Sequence, residues 1–194
     1  MKKLALVLLC LLALCSCAKP TPLPTPVKHT HFTDIPSDYS LEDAKADSVV
    51  VYENGDITSG QEVWDAFLAK TENGQQCSVR LGWYYTLPDH LSPELYEREK
   101  DKYPVLYIQD LRYNGMYYTL YSIEDGEEYS FNYKFMMQME EDAPPLNPSI
   151  GCALRYVLVN DESVTWEQIF RGMVSSNFTD WIDHKRVYVK RYSS

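Results

Sequence analysis

The sequence predicts an α+β domain with two layers, in which two helices cover one face of a mostly antiparallel sheet. Runs of alternating apolar and polar residues, typical of half-buried strands, recur between residues 77 and 137. Asn114-Gly115 and Asp125-Gly126 separate three of these runs, and both dipeptides are strong hairpin signals. Because the three strands follow one another without a helix, a purely parallel sheet is disfavoured.

The first part of the domain is predicted to run strand, helix, strand. Residues 40–46 have the pattern of a short capped helical turn, and the apolar, β-branched residues 49–52 indicate a buried strand. A longer helix is predicted to begin at Ser59, with Glu62 completing a capping box. Its apolar stripe consists of Val63, Trp64, Phe67 and Leu68. Residues 77–85 then alternate as a half-buried strand.

The remainder is predicted to form a three-stranded meander and a second strand–helix–strand unit. Residues 88–103 are charged and contain prolines, so they indicate a surface excursion with one helical turn. The meander strands are residues 104–113, 116–123 and 129–137. The closing unit consists of a strand at 152–159, a helix capped by Thr165 and a strand at 187–192. The apolar stripe of that helix is Trp166, Ile169, Phe170 and Met173.

The first 16 residues are predicted to be a cleaved lipoprotein signal peptide. Lys2 and Lys3 precede an uninterrupted apolar run over residues 4–14, which has the length of a signal-peptide core. The following Leu14-Cys15-Ser16-Cys17 resembles the bacterial lipobox. That resemblance implies cleavage after Ser16 and a diacylglyceryl thioether on Cys17, whose acyl chains, such as palmitate, hold the protein on the membrane.

Residues 17–39 are predicted to be an extended linker between the lipidated Cys17 and a single domain at 40–194. Pro20, Pro22, Pro24 and Pro26 alternate with other residues, which favours polyproline II. Removal of the leader deletes two lysines and no acid, so the formal charge changes from −10 to −12. Such an acidic chain disfavours nucleic acid and anionic lipid headgroups as partners. The expected location is the extracytoplasmic face of the cell membrane, and the expected membrane contact is the lipid on Cys17.

Cys77 and Cys152 are a candidate disulfide pair. Each begins the apolar face of a predicted strand, so both side chains are expected to face the core. An even number of cysteines in an exported domain permits a bond. The alternative is two buried thiols that behave as small apolar side chains.

Candidate chemistry is otherwise sparse. No nucleophile elbow, phosphate-binding loop or zinc-protease helix is present, and no cofactor or metal is expected. Carboxylates cluster at residues 124–128 and 140–142, where solvated hairpin tips are the simpler interpretation. Tyr117 and Tyr121 lie on the face of their strand opposite Tyr118 and Leu120, which makes them a candidate aromatic binding face.

Several stretches resemble a family of uncharacterised bacterial lipoproteins, the one catalogued as domain of unknown function number 4362. They are DYSLEDAKADSVVVYENGDIT, EVWDAFLAKTENG, VRL and QDLRYNGMYYTLYSIEDGE, within residues 39–130. The resemblance implies an exported, membrane-tethered domain and carries no active residues. Residues 88–103 and 139–150 depart from the family pattern.

The function expected from the sequence is a non-enzymatic binding or interaction module. Its ligand would be a protein, a peptide or a cell-wall component. Two alternatives remain open, which are a cell-envelope hydrolase with an unrecognised carboxylate site and an inhibitory module that acts on a partner enzyme. A pocket that converges on carboxylates would favour the hydrolase, whereas a tyrosine-rich surface would favour binding.

Overall fold

A computed structural model describes residues 31, 34–124, 126–141 and 153–192 of the protein. Within these residues the fold is α+β with mostly antiparallel strands, as the sequence predicted. The helices are α1 (Leu41–Ala46), α2 (Gln61–Glu72), α3 (Pro93–Glu99) and α4 (Trp166–Val174). The strands are β1 (Val50–Glu53), β2 (Asp56–Ser59), β3 (Cys77–Tyr85), β4 (Val105–Tyr113), β5 (Tyr118–Glu124), β6 (Glu127–Tyr133), β7 (Phe135–Glu141), β8 (Ala153–Val159) and β9 (His184–Arg191). Short 3-10 turns occupy Lys100–Lys102 and Phe178–Asp180.

The strands form two sheets, whereas the sequence predicted one. The first has the order β2-β1-β3-β4-β5-β6, and the second has the order β7-β8-β9. All neighbouring strands are antiparallel except β1 and β3, which are parallel. Parallel neighbours need a crossover, and the connection through β2 and α2 supplies it.

Helix α2 packs between the two sheets. Trp64 is only 1% exposed, and its ring stacks on Tyr188 of β9 with centroids 4.6 Å apart. It also meets Tyr156 of β8 edge-on at 5.3 Å. The same core contains Val79, Leu81, Leu111 and Leu120 from the first sheet and Leu158, Val187 and Val189 from the second. The inner faces of both sheets therefore share one apolar core around α2.

The other helices lie outside this core, so the predicted arrangement of two helices on one face is not what the structure has. Ala44 of α1 packs against Val49 and Val51 on the outer face of the first sheet. Ile169 of α4 packs against Val157 and Val159 on the outer face of the second. Helices α2 and α4 thus cover opposite faces of the second sheet.

The predicted strand at residues 129–137 is two strands that belong to different sheets. It breaks at Lys134, whose backbone N–H donates to Asn160 Oδ1 at 3.2 Å. Before the break, Tyr133 is buried in the core around α2. After the break, Phe135 and Met137 pack with the α4 cluster. The alternation of apolar residues continues across the corner, which is why the pattern alone indicated a single strand.

Local capping signals have mixed outcomes. Ser40 and Thr165 cap α1 and α4 with complete capping boxes, as predicted. The prediction of Ser59 as the cap of α2 was wrong, because Ser59 pairs with Val51 in the β1–β2 ladder. The cap is Gly60, with φ of +79°, and a Cβ there would lie 2.6 Å from the Val49 carbonyl oxygen. Only glycine fits this turn.

The two Asn-Gly turns that join strands differ from each other. Asn54 and Gly55 both have positive φ (51° and 92°) and join β1 to β2, a strand that the sequence analysis missed. At Asn114 the connection is longer, because the side-chain Oδ1 accepts from the backbone N–H groups of Met116 and Tyr117 at 2.9 and 3.0 Å. Strand β5 therefore begins at Tyr118 rather than at residue 116.

Helix α4 buries less of its predicted stripe than expected. Ile169 is 1% exposed, but Phe170 and Met173 are about half exposed. Because α4 covers a sheet of only three strands, part of its apolar face stays exposed among the described residues. These two residues, with Val174, Phe178 and Trp181, form an exposed apolar patch, called here the α4 patch. None of the helices in the part of the chain that the structure describes is long and apolar enough to cross a membrane.

Candidate functional site

An open cleft of about 550 Å³ lies where the inner face of the first sheet meets β9 and α4. Strands β3, β4 and β5 supply one side, and the start of β9 with α4 supplies the other. The volume falls within the range of about 300–1,000 Å³ that is typical of small-molecule sites. The cleft is the candidate functional site because it combines aromatic rings with hydrogen-bond donors.

Four aromatic side chains line the cleft, namely Trp83, Tyr85, Tyr107 and Trp166. Trp83 is 8% exposed, and its ring stacks on that of the buried Tyr52 with centroids 4.1 Å apart. Tyr85 and Tyr107 meet edge to face at 6.2 Å, and Tyr107 is 53% exposed. The cleft therefore has a rigid, stacked aromatic base and an accessible aromatic rim.

Gln109 is held in one amide orientation. The indole N–H of Trp83 donates to Gln109 Oε1 at 2.9 Å, and an indole nitrogen can only donate. The oxygen of the amide is therefore the atom that faces Trp83, and the NH₂ group is the donating end of the side chain. Ser122, which lies opposite Gln109 on β5, is buried beside it. Trp83 thus fixes the orientation of the Gln109 amide, whose other end is a hydrogen-bond donor.

The β9 side of the cleft is basic, with His184, Lys185 and Arg186. Lys185 Nζ lies 4.1 Å from the centroid of the Phe131 ring on β6. His184 Nδ1 is 2.8 Å from the Ile182 carbonyl oxygen. A carbonyl only accepts, so Nδ1 carries a proton and donates, and Nε2 is the other ring nitrogen available to a ligand.

A β-bulge in β9 sets the direction of Lys185. Tyr156 pairs with Tyr188 but Val157 pairs with Arg186, so Val187 is an extra residue in the strand. Val187 and Tyr188 are both buried in the core. Past the bulge, Lys185 pairs with the core residue Leu158 and its ammonium reaches across to the first sheet. The bulge therefore turns the cation toward the cleft.

A second, smaller concavity of about 320 Å³ lies on the outer face of the first sheet, next to Arg80. Two of its three carboxylates, those of Asp43 and Asp47, form hydrogen bonds within the fold. Tyr39 O–H donates to Asp47 Oδ2 at 3.0 Å, and hydrogen bonds from Ser40 hold the pKa of Asp43 below its ordinary value. No cluster of three or more His, Cys, Asp or Glu side chains suited to a metal ion occurs among the described residues. This concavity is the weaker candidate.

The predicted binding residues Tyr117 and Tyr121 lie away from the cleft. Tyr117 is 40% exposed in the turn before β5. The Tyr121 ring is half-buried, with the Arg112 guanidinium 4.5 Å above its centroid. Tyr118, on the opposite face, is 9% exposed. The role of Tyr117 and Tyr121 in binding stays a prediction.

The cysteine predictions involve residues that the structure does not describe. Cys17 and Cys152 lie outside the described residues, so the lipidation and the disulfide remain predictions. The Cys77 thiol donates a weak hydrogen bond to the Phe67 carbonyl oxygen, with Sγ and O 3.8 Å apart. Burial raises the pKa of Cys77 to about 11, so the thiol is protonated at neutral pH.

Sequence reasoning missed every member of the cleft as a site residue. Trp83 and Tyr85 were identified only as the apolar face of a strand, and residues 184–186 lay before the predicted start of the last strand. The one signal available was the run His184-Lys185-Arg186 in an acidic chain. Comparisons with protein-family models, with curated proteins and with solved structures find no match for this chain. The resemblance over residues 39–130 therefore stays a prediction.

Proposed function

We propose that this chain is a lipid-anchored bacterial lipoprotein of the extracytoplasmic membrane face, and that its domain binds a ligand in the cleft without transforming it. The leader, the lipobox at Cys17 and the proline-rich linker support the location. The observation that carries the binding function is the open cleft, whose base is held rigid by the stack of Trp83 on Tyr52.

The chemistry of the cleft supports binding over the hydrolase alternative. Hydrolysis of a glycosidic bond ordinarily uses two carboxylates that flank the scissile bond. Among the described residues that line the cleft, none is Asp, Glu or Cys. Rings and hydrogen-bond donors instead provide contact area and orientation, which is what a binding site needs.

The experiment uses the indole N–H resonances of the four tryptophans. The Cys17→Ser variant of residues 17–194, labelled with nitrogen-15, is mixed in turn with cell-wall fragments, peptides and small acids. We expect at least one compound to shift the indole signals of Trp83 and Trp166. Trp64 lies in the core and serves as the internal control, because its signal moves only if the fold changes.

The same samples separate binding from catalysis. A ligand recovered unchanged after prolonged incubation agrees with a non-enzymatic module, whereas cleavage of the compound that shifts Trp83 would support the hydrolase. If no compound moves either Trp83 or Trp166, the cleft is not the binding site and the proposal fails.

A further inference from the structure

We propose that the ligand of the cleft is an organic anion, a carboxylate joined to a flat apolar ring. This inference rests on the proposed function and names the chemical class of the ligand. The charges, donors and rings of the cleft carry it.

Lys185 and Arg186, the lysine and arginine that line the cleft, differ in ion pairing from most other lysines and arginines of the described residues. Elsewhere among the described residues, most lysine and arginine side chains form an ion pair with a carboxylate at 4.0 Å or less. They are Lys45, Arg80, Arg98, Lys100, Lys102, Arg112, Arg171 and Arg191. Neither Lys185 nor Arg186 forms an ion pair with any carboxylate of the described residues. The chain has 28 acidic and 18 basic residues, so a cleft with two cations that pair with no described carboxylate is locally positive on an acidic protein. Such local positive potential attracts anions.

The neutral groups also favour an anion. The Gln109 amide presents its NH₂ group, because its oxygen accepts from Trp83. Arg186 carries a planar guanidinium, which matches the two oxygens of a carboxylate. Donors from β4 and β9 therefore flank the cleft from both sides, and a carboxylate accepts from several donors at once.

The rings indicate what the carboxylate is attached to. Tyr107 is 53% exposed and meets Tyr85 edge to face, so the Tyr107 ring offers an accessible apolar surface supported by Tyr85. Aromatic partners favour offset-stacked or edge-to-face contacts with another ring. A cleft of about 550 Å³ holds a compound of one to a few rings.

The test compares 2-naphthoate with 2-naphthamide, which share the ring and differ in charge. The same labelled variant of residues 17–194 is titrated with each probe, and the shifts of the Trp83 and Trp166 indoles give the dissociation constants. We expect naphthoate to bind about tenfold more tightly than the amide, a ratio that corresponds to ~1.4 kcal/mol. Arg186→Gln should remove most of this preference.

Lys190→Gln is the matched control, since Lys190 is an exposed cation on the same strand outside the cleft. We expect it to leave the preference for naphthoate unchanged, and an unshifted Trp64 signal shows that each variant is folded. Equal affinity for the two probes, or a preference that survives Arg186→Gln, would overturn the anionic class while leaving the cleft as a binding site. If neither probe moves Trp83 or Trp166 but another compound does, the class is again wrong and the proposed function stands.

Discussion

Arg80 and Asp110 form a bidentate ion pair across β3 and β4, with Nε to Oδ1 at 2.7 Å and Nη2 to Oδ2 at 3.1 Å. Their side chains are 3% and 10% exposed, so the pair is buried on the outer face of the first sheet. The strand register places the two residues directly opposite each other. Removal of one partner would leave the other charge buried without its main counter-ion.

Asp110→Asn should therefore lower the free energy of unfolding by about 3–5 kcal/mol. The matched control is Asp56→Asn at the exposed pair of Asp56 and Arg191, 3.3 Å apart, which should cost no more than ~1 kcal/mol. Urea denaturation measures both. Replacement of Arg80 and Asp110 together by Met and Leu should recover much of the loss. A cost at Asp110 no larger than that at Asp56 would show that the buried pair is not structurally important.

Stability should fall as the pH rises above about 10. Burial raises the pKa of Tyr39, Tyr52 and Tyr133 well above the ordinary value. In the unfolded chain these hydroxyls ionise near pH ~10. Above that pH the folded state holds more protons than the unfolded state, so stability is full below it and declines above it.

The near-ultraviolet absorbance of tyrosinate, followed with the urea midpoint between about pH 8 and 12, checks this dependence. The buried tyrosines should ionise at a higher pH than the exposed ones, and their ionisation should coincide with unfolding. Tyr52→Phe should flatten the decline of the midpoint, and Tyr107→Phe, at an exposed ring, is the matched control for loss of a hydroxyl. A urea midpoint that stays constant over this range would contradict the prediction.

Alanine substitutions on β5 and in the turn before it should distinguish buried from exposed tyrosines. Tyr118→Ala removes a 9% exposed ring and should cost about 3–5 kcal/mol. Tyr117→Ala should stay within ~0.5 kcal/mol. Tyr121→Ala should cost about 1 kcal/mol, because it loses the contact with Arg112. Melting temperatures rank the three variants, and a large loss at Tyr117 would show that its ring is not free for a partner.

Cys77 should resist alkylation in the folded protein. With a pKa of about 11, roughly 0.1% of the thiol is ionised at pH 8, and only the thiolate reacts. If Cys77 is bonded to Cys152, unfolding in urea will leave alkylation blocked until a reductant is added. If both are thiols, urea alone will expose them. Mass spectrometry counts the labels, and rapid labelling of the native protein would contradict the buried environment.

Cys17→Ser should release the domain from the membrane or leave the leader uncleaved, because the lipid on Cys17 is the proposed anchor. Cell fractionation followed by mass determination distinguishes these products from the lipidated parent. A processed variant that stays as firmly bound as the parent would refute the anchor. The α4 patch would then be the surface to examine, since Phe178 is 93% and Trp181 is 56% exposed.

Local signals were the reliable part of the sequence. Ser40 and Thr165 cap helices because each hydroxyl needs only the backbone N–H three residues on. The same reasoning predicted the wrong cap for α2, because Ser59 pairs with Val51 in the β1–β2 ladder and Gly60 is the N-cap. The break between β6 and β7 at Lys134 could not be predicted from the sequence, because the alternation of apolar residues continues from one sheet into the next.

The sequence by itself determined the fold class and most helices and strands, because each depends on residues near one another in the chain, and the leader and the linker stay predictions from the same kind of local pattern. Only the tertiary structure decided where the candidate site lies. Trp83 and Gln109 come from the first sheet, whereas Lys185 comes from a strand of the second sheet about a hundred residues after Trp83 and is directed to the cleft by a bulge at Val187. That bulge follows from burying both Val187 and Tyr188 around α2, a packing requirement that no local pattern encodes.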